Sequence, residues 1–252
     1  MDIVVLLGAF ILGLIAGSLS ALFGIGGAMF FIPAFRILFG MSGHEAIANT
    51  IPLTIPTAAI GAFTFYLRGL VRVRTALLAG LVGVIFSIIG AYMTGLFDEK
   101  ALMWGVGVLF ILLAIITWKN AGTNTRKRPI KERAIRTASI GIVGGFLNGF
   151  FGIGGGAIVV PLLMRFKGLS IDIAVPTSLA IIAIYATSGT IAHFAIGNIV
   201  LDILIPVMIG SIIGVVIVSE RVGEVGEEVR RKWFVAFMIL MGLFILIREL
   251  LI

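Results

Sequence analysis

Phe23-Gly24-Ile25-Gly26-Gly27 returns 128 residues later as Phe151-Gly152-Ile153-Gly154-Gly155. The same offset carries Gly17 onto Gly145, Pro33 onto Pro161, Ala46 onto Ala174, Gly61 onto Gly189 and Gly69 onto Gly197. It also lays Asn49-Thr50 over Thr177-Ser178, and Ser20 over Asn148. A five-residue identity arises by chance in glycine-rich sequence. Agreement in one register over roughly fifty residues does not, so the chain reads as two copies of one unit.

Around each motif the sequence is apolar. Hydrophobic residues make up 60% of the 252 positions and charged residues 12%, with a mean hydropathy of +1.20. A soluble domain carries about 25% charge, so this chain lacks the polar side chains to cover a surface in water. Apolar stretches fall at 3–22, 28–39, 46–67, 75–97, 101–118, 137–151, 156–166, 171–196, 199–219 and 233–251. Most reach the roughly 20 residues that a helix needs to cross a bilayer core. Those beginning at Ala28 and Gly156 are too short, and each follows a glycine cluster. The expected fold is therefore all-α: a polytopic transmembrane helical bundle with broken or re-entrant helices at the glycine motifs. The 33 glycines suit it, because small residues let membrane helices approach closely. The first segment lacks the basic leader and cleavage site of a secretory signal and is expected to be retained. The absence of cysteine removes disulfides, thiolate metal sites and thiol nucleophiles together.

The net charge of +7 is concentrated rather than spread. Residues 119–136 form a linker containing Lys119, Arg126, Lys127, Arg128, Lys131, Arg133 and Arg136, and divide a first repeat (1–118) from a second (137–252). Sixteen of the nineteen lysines and arginines fall in segments 68–74, 119–136, 165–167 and 219–232, leaving Arg36, Lys100 and Arg248 elsewhere. Basic residues gather in cytoplasmic loops. If those four segments are cytoplasmic, both termini come out on the far side and the second repeat is inverted relative to the first. Inverted-topology repeats of about five segments each are an architecture of secondary transporters. The implied location is the plasma membrane, with the lipid bilayer and a small solute as partners. No nucleic-acid-binding motif accompanies the basic charge.

In such folds substrate sits where helices break in matched positions. Gly24, Gly26 and Gly27, and Gly152, Gly154, Gly155 and Gly156, can take positive φ and expose amides at the start of a short helix. Helix N-termini bind anions. Two such termini facing each other would form a small, neutral-lined anion site. Pro33 and Pro161 are placed to kink the short helices. The alternative is that these glycines serve close packing alone. Asn49, Thr50, Thr177 and Ser178, with Ser20 and Asn148 just before the breaks, are candidate donors to a substrate oxygen; bonding to helix backbone is the alternative. His193 is the most interior ionisable residue and a candidate proton-coupling group. A headgroup-level position is the other option. Asp202 is read as a helix start. Arg36, Arg68, Arg72 and Arg74 are read as snorkelling at the interface, with anion guidance as the alternative. The motif lacks the Gly-Lys-Ser/Thr ending of a phosphate loop, and no carboxylate pair, His-Glu metal spacing or serine–base set appears. Neither a cofactor, a metal nor an enzymatic activity is expected.

These residues resemble the TauE/SafE family, the sulfite exporter or toluene-sulfonate uptake permeases. Length, two similar halves, a basic central loop and a duplicated Gly-x-Gly-Gly-Gly-x4-Pro motif carry the likeness over nearly the whole chain. Gly152-Ile153-Gly154-Gly155-Gly156 through Pro161 fits closely, whereas the first copy has Ala28 in place of the last glycine. The resemblance implies movement of sulfite, sulfonates such as sulfoacetate, or related sulfur oxyanions across a prokaryotic plasma membrane. A channel-like anion pathway and a non-transporting membrane scaffold or assembly factor are the competing readings.

Overall fold

The computed structural model describes residues 3–23, 27–119, 134–219 and 226–251, and these form helices with no strand among them. In chain order the helices are α1 (Ile3–Phe23), α2 (Ala28–Leu38), α3 (Gly43–Leu67), α4 (Val73–Thr94), α5 (Glu99–Lys119), α6 (Ala134–Phe151), α7 (Gly156–Lys167), α8 (Ile171–Ile196), α9 (Leu201–Ser219) and α10 (Glu227–Leu251). Gly24, Ile25 and Gly26 of the first motif, and 120–133 of the basic linker, lie outside the described residues.

Ten apolar stretches thus become ten helices. The ends differ where a helix opens with a polar turn that hydropathy does not register. Helix α3 starts three residues earlier than its apolar run because Ser42 and Glu45 form a reciprocal capping box. Before α5, the Asp98 carboxylate accepts from the Ala101 amide in the same way. Among the described residues, eight helices are long and apolar enough to cross a membrane. Helices α2 and α7, with 11 and 12 residues, reach only about 16–18 Å, roughly half a hydrocarbon core. Pro33 and Pro161 lie within them without ending them.

The duplication governs helix starts as well as motifs. Helices begin at 28 and 156, 43 and 171, 73 and 201, 99 and 227, each pair 128 apart. Packing repeats with the same register but exchanges partners between the halves. Helix α1 lies on α9, where Gly13 meets the Val207 backbone and Gly17 that of Ser211. Helix α6 lies on α4, where the matched glycines Gly141 and Gly145 meet Ala79 and Gly83. A side chain at any of these glycines would collide with the facing main chain, so these helices touch through their backbones.

The contacts also fix direction. Along α1 and α9 paired residue numbers rise together, as they do along α4 and α6. Helices α3 and α8 run oppositely, since Gly61 meets Leu179 and Ile51 meets Gly189. Helices α5 and α10 do likewise: Gly107 meets Leu246, Gly242 meets Ile111, and Glu99 and Glu249 both pair with Arg36. As a result, 68–72 and the ends of α5, α7 and α9 gather on one face of the bundle. The start of α3, the α4–α5 and α8–α9 connections and the end of α10 gather on the other. Side chains turned outward are apolar, with Leu81, Ile205 and Leu240 each about 60% exposed; in water they would form a large apolar patch, and in lipid they are solvated.

Arg36 departs from the snorkelling role expected of it. It is buried, donating to the Met41 carbonyl and pairing with Glu249 and Glu99. It thereby ties the end of α2 to α5 and α10. Arg68, Arg72 and Arg74 are exposed on the opposite face, and the Arg68 guanidinium lies 5.9 Å from the centre of the Phe65 ring.

Candidate functional site

The second glycine motif is a tip where α6 turns back into α7. Gly152, Gly154 and Gly155 all have φ near +70°, a conformation open to glycine and costly for other residues. The Gly152 amide closes the last turn of α6 on the Asn148 carbonyl (2.9 Å), and Ile158 and Val159 donate to the Gly155 carbonyl at 3.0 and 2.8 Å. Between them, the amides of Ile153, Gly154, Gly155, Gly156 and Ala157 find no acceptor among the described residues, although all five residues are buried. Buried amides are rarely left unpaired, at a cost of about 1–3 kcal/mol each. Free N–H groups at a helix N-terminus can accept an anion.

The carbonyls of the same tip are held from outside. The Thr50 hydroxyl lies 2.8 Å from the Gly152 carbonyl and 2.7 Å from that of Ile47. The Tyr185 hydroxyl donates to the Gly154 carbonyl at 2.9 Å. Asn148 is fully buried; its Nδ2 donates to Ser87 Oγ at 3.1 Å and its Oδ1 has no partner among the described residues. The amide can equally be turned over, so that Ser87 donates to Oδ1 and the free group is an N–H donor.

The first motif shares this cap. Gly27 has φ +78° and its carbonyl accepts from Phe30 (3.0 Å), as Gly155 accepts from Ile158. Ser20 is 1% exposed and its hydroxyl has no partner among the described residues. Its Cβ lies 3.4 Å from where a side chain on Gly27 would begin. Both members of the Ser20–Asn148 pair therefore bury an unsatisfied polar atom beside a break. Gly24 and Gly26 fall outside the described residues.

Most of the remaining candidates bond to the protein backbone. Asn49 donates to the Glu45 and Asn198 carbonyls (2.8 and 3.2 Å) and accepts from the Val200 amide (2.9 Å). Thr177 accepts from the Arg72 amide at 3.1 Å. Residues 72 and 200 are themselves 128 apart, so each member of this pair anchors the loop before α4 or α9. Ser178 donates to the Val175 carbonyl at 2.7 Å, as Thr50 does to that of Ile47. Asp202 lies exposed in the first turn of α9. His193 is fully buried, and its Nε2 lies 2.8 Å from the Gly149 carbonyl. A carbonyl only accepts, so Nε2 carries the proton, and Nδ1 has no partner among the described residues. Tyr185 and Ser87 were missing from the sequence reading. Their faint signal was Tyr185 standing 128 residues after Thr57, hydroxyl matched to hydroxyl.

The end of α1 and the tip between α6 and α7 lie at different depths. Gly152 adjoins Thr50, next to the Asn49 anchor on Val200. Ser18, one half-turn before Ser20, adjoins Gly214. From Val200 to Gly214 is about 21 Å along α9.

Residues 9–245 match the family described as Sulfite exporter TauE/SafE. The chain belongs to the TauE/SafE family. It is 28% identical over 256 residues to the probable membrane transporter protein YunE of Bacillus subtilis, covering 88% of this chain and 87% of that one. It is 27% identical to the probable membrane transporter protein YdhB of the same organism, covering 83% and 86%. A probable membrane transporter protein of Methanocaldococcus jannaschii is 23% identical, covering 73% and 70%. No solved structure matches the chain. With eight membrane-length helices and this family, it is a multi-pass membrane transporter, in a family of transporters rather than enzymes.

Proposed function

We propose that this TauE/SafE transporter is a secondary carrier for small sulfur oxyanions, such as sulfite or sulfoacetate, moving them outward across the plasma membrane. The observation that carries this reading is the run of buried, acceptor-free amides from Ile153 to Ala157 between left-handed glycines. The buried, unpartnered polar atoms of Ser20 and Asn148 support it. A sulfite or sulfonate head offers several acceptor oxygens to such donors, which bind it without a fixed positive charge that would retain it. Two half-sites at different depths give the anion a station near each face: Ser20 and the first motif at one, Asn148 and the second motif at the other. In that division Thr50, Thr177, Ser178 and Asn49 support the stations from behind.

Inverted-topology repeats are the arrangement we infer for the two halves. It is supported by the shared offset of helix starts and by the opposite runs of the matched helices α3 and α8, and α5 and α10. The face bearing Arg68, Arg72, Arg74, Arg165 and Lys167 is assigned to the cytoplasm by the bias of basic residues. With the inside negative, outward passage of one negative charge gains ~2.3 kcal/mol per 100 mV, so export needs no second ion. Proteoliposomes loaded with sulfite, thiosulfate, sulfoacetate, taurine, sulfate or chloride test the reading. Saturable efflux of sulfite or sulfoacetate, accelerated by a potential that drives anions out, is expected. Efflux that needs a pH gradient and ignores the potential overturns the export mechanism, and failure of every anion overturns the substrate class.

A further inference from the structure

Helix α8 presents Tyr185, Gly189 and His193 in one stripe at a spacing of four, facing α6 and its tip. Tyr185 is fully buried, and its single polar atom is bonded to the Gly154 carbonyl. Thr50, on α3 of the other repeat, shares its one hydroxyl proton between the Gly152 carbonyl and the Ile47 carbonyl of its own helix. In a planar trans peptide the carbonyl and the following amide point in opposite directions. A hydroxyl that holds the Gly152 oxygen therefore fixes the Ile153 N–H pointing away from α3. One that holds the Gly154 oxygen fixes the Gly155 N–H pointing away from Tyr185. These two N–H groups belong to the acceptor-free run. The fit is close: a side chain on Gly152 would begin 2.6 Å from the Thr50 hydroxyl, and one on Gly155 would collide with that of Tyr185. Left-handed glycines are the residues whose peptide planes turn over most easily, so this tip needs such restraint if its donors are to stay aimed.

We propose that Thr50 and Tyr185 are positioning residues that act through the backbone. Resting on the anion reading of this site, each holds one carbonyl so that the amide beyond it faces the anion. Because Thr50 comes from one repeat and Tyr185 from the other, the tip keeps both restraints only while α3 and α8 hold their crossing. A shift of α3 against α8 frees a peptide plane and releases the anion. At the position matched to Tyr185 the first repeat has Thr57, a shorter side chain that also ends in a hydroxyl.

Thr50→Val and Tyr185→Phe remove the hydroxyls and keep the bulk, and Thr50→Ser restores one of them. With purified full-length protein and sulfite as the probe, each removal is expected to weaken binding about tenfold. In proteoliposomes the same change appears as a raised KM, while Thr50→Ser stays near wild type. In carbonyl-13C glycine-labelled protein without anion, the Gly152 signal moves in Thr50→Val and the Gly154 signal in Tyr185→Phe. Variants that melt lower but bind sulfite with unchanged affinity overturn the proposal and leave the anion site standing. So do unmoved carbonyl signals. If wild-type protein binds neither sulfite nor sulfoacetate, the anion reading falls and the proposal with it.

Discussion

Gly155 and Gly156 are adjacent but meet opposite demands. Gly155 has φ +71° and points its missing side chain at the Tyr185 hydroxyl. Gly156 opens α7, and its counterpart at the start of α2 is Ala28, the one departure of the first motif from the second. A helical first residue accepts alanine without backbone strain. Gly156→Ala is therefore expected to leave melting temperature and transport near wild type. Gly155→Ala carries the left-handed penalty of about 1–2 kcal/mol and a collision, and is expected to lower both. Equal behaviour of the two variants in a thermal melt with a flux assay would contradict this account. At this scale the sequence made the glycines and the Ser20–Asn148 pair readable, because matched position marks them. It did not tell which oxygen a hydroxyl serves. Asn49 and Thr177 are matched just as well, yet they anchor loops, and Thr50 reaches the tip of the other repeat.

At the scale of elements, the short helix α2 is tied at its end by Arg36 to α5 and α10. Glu249 is 5% exposed, whereas the Glu99 side chain is 40% exposed and contributes little through solvent screening. Removing Arg36 leaves Glu249 buried without its partner, a loss of about 3–5 kcal/mol in comparable cases. Arg36→Met, which copies Met164 at the matched position, is expected to lower the melting temperature markedly. Adding Glu249→Leu should recover most of it, and a double variant no more stable than the single one would show that the pair is not the cause. Hydropathy found all ten elements, because length and apolarity suffice for that. It misread Arg36 as interfacial, since a basic residue ending an apolar run gives no hint of acids 63 and 213 residues away.

For the whole molecule, the absence of cysteine from the chain permits a direct test of orientation. Leu96, at the α4–α5 connection, and Ile135, at the start of α6, are 78% and 76% exposed on opposite faces. In intact cells a membrane-impermeant maleimide is expected to label Leu96→Cys and to reach Ile135→Cys only after lysis. The reverse pattern would place the basic face outside. The duplication was readable from one register of glycines, but the exchange of partners was not. Gly13, Gly17, Gly141 and Gly145 announce that backbones will touch without saying whose. The depths of the end of α1 and of the α6–α7 tip were not readable for the same reason, because depth is set by packing partners.

That exchange of partners constrains how the chain comes into being. Helix α1 is made well before the surface its glycines fit, which belongs to α9, nearly two hundred residues downstream. Helix α4 likewise waits for α6. During synthesis neither half can complete its own packing, and the first five helices enter the bilayer with backbone-close faces still bare. A nascent chain in that state must remain unassembled until its second half arrives, and in the meantime it is open to neighbours offering the same small-residue stripe.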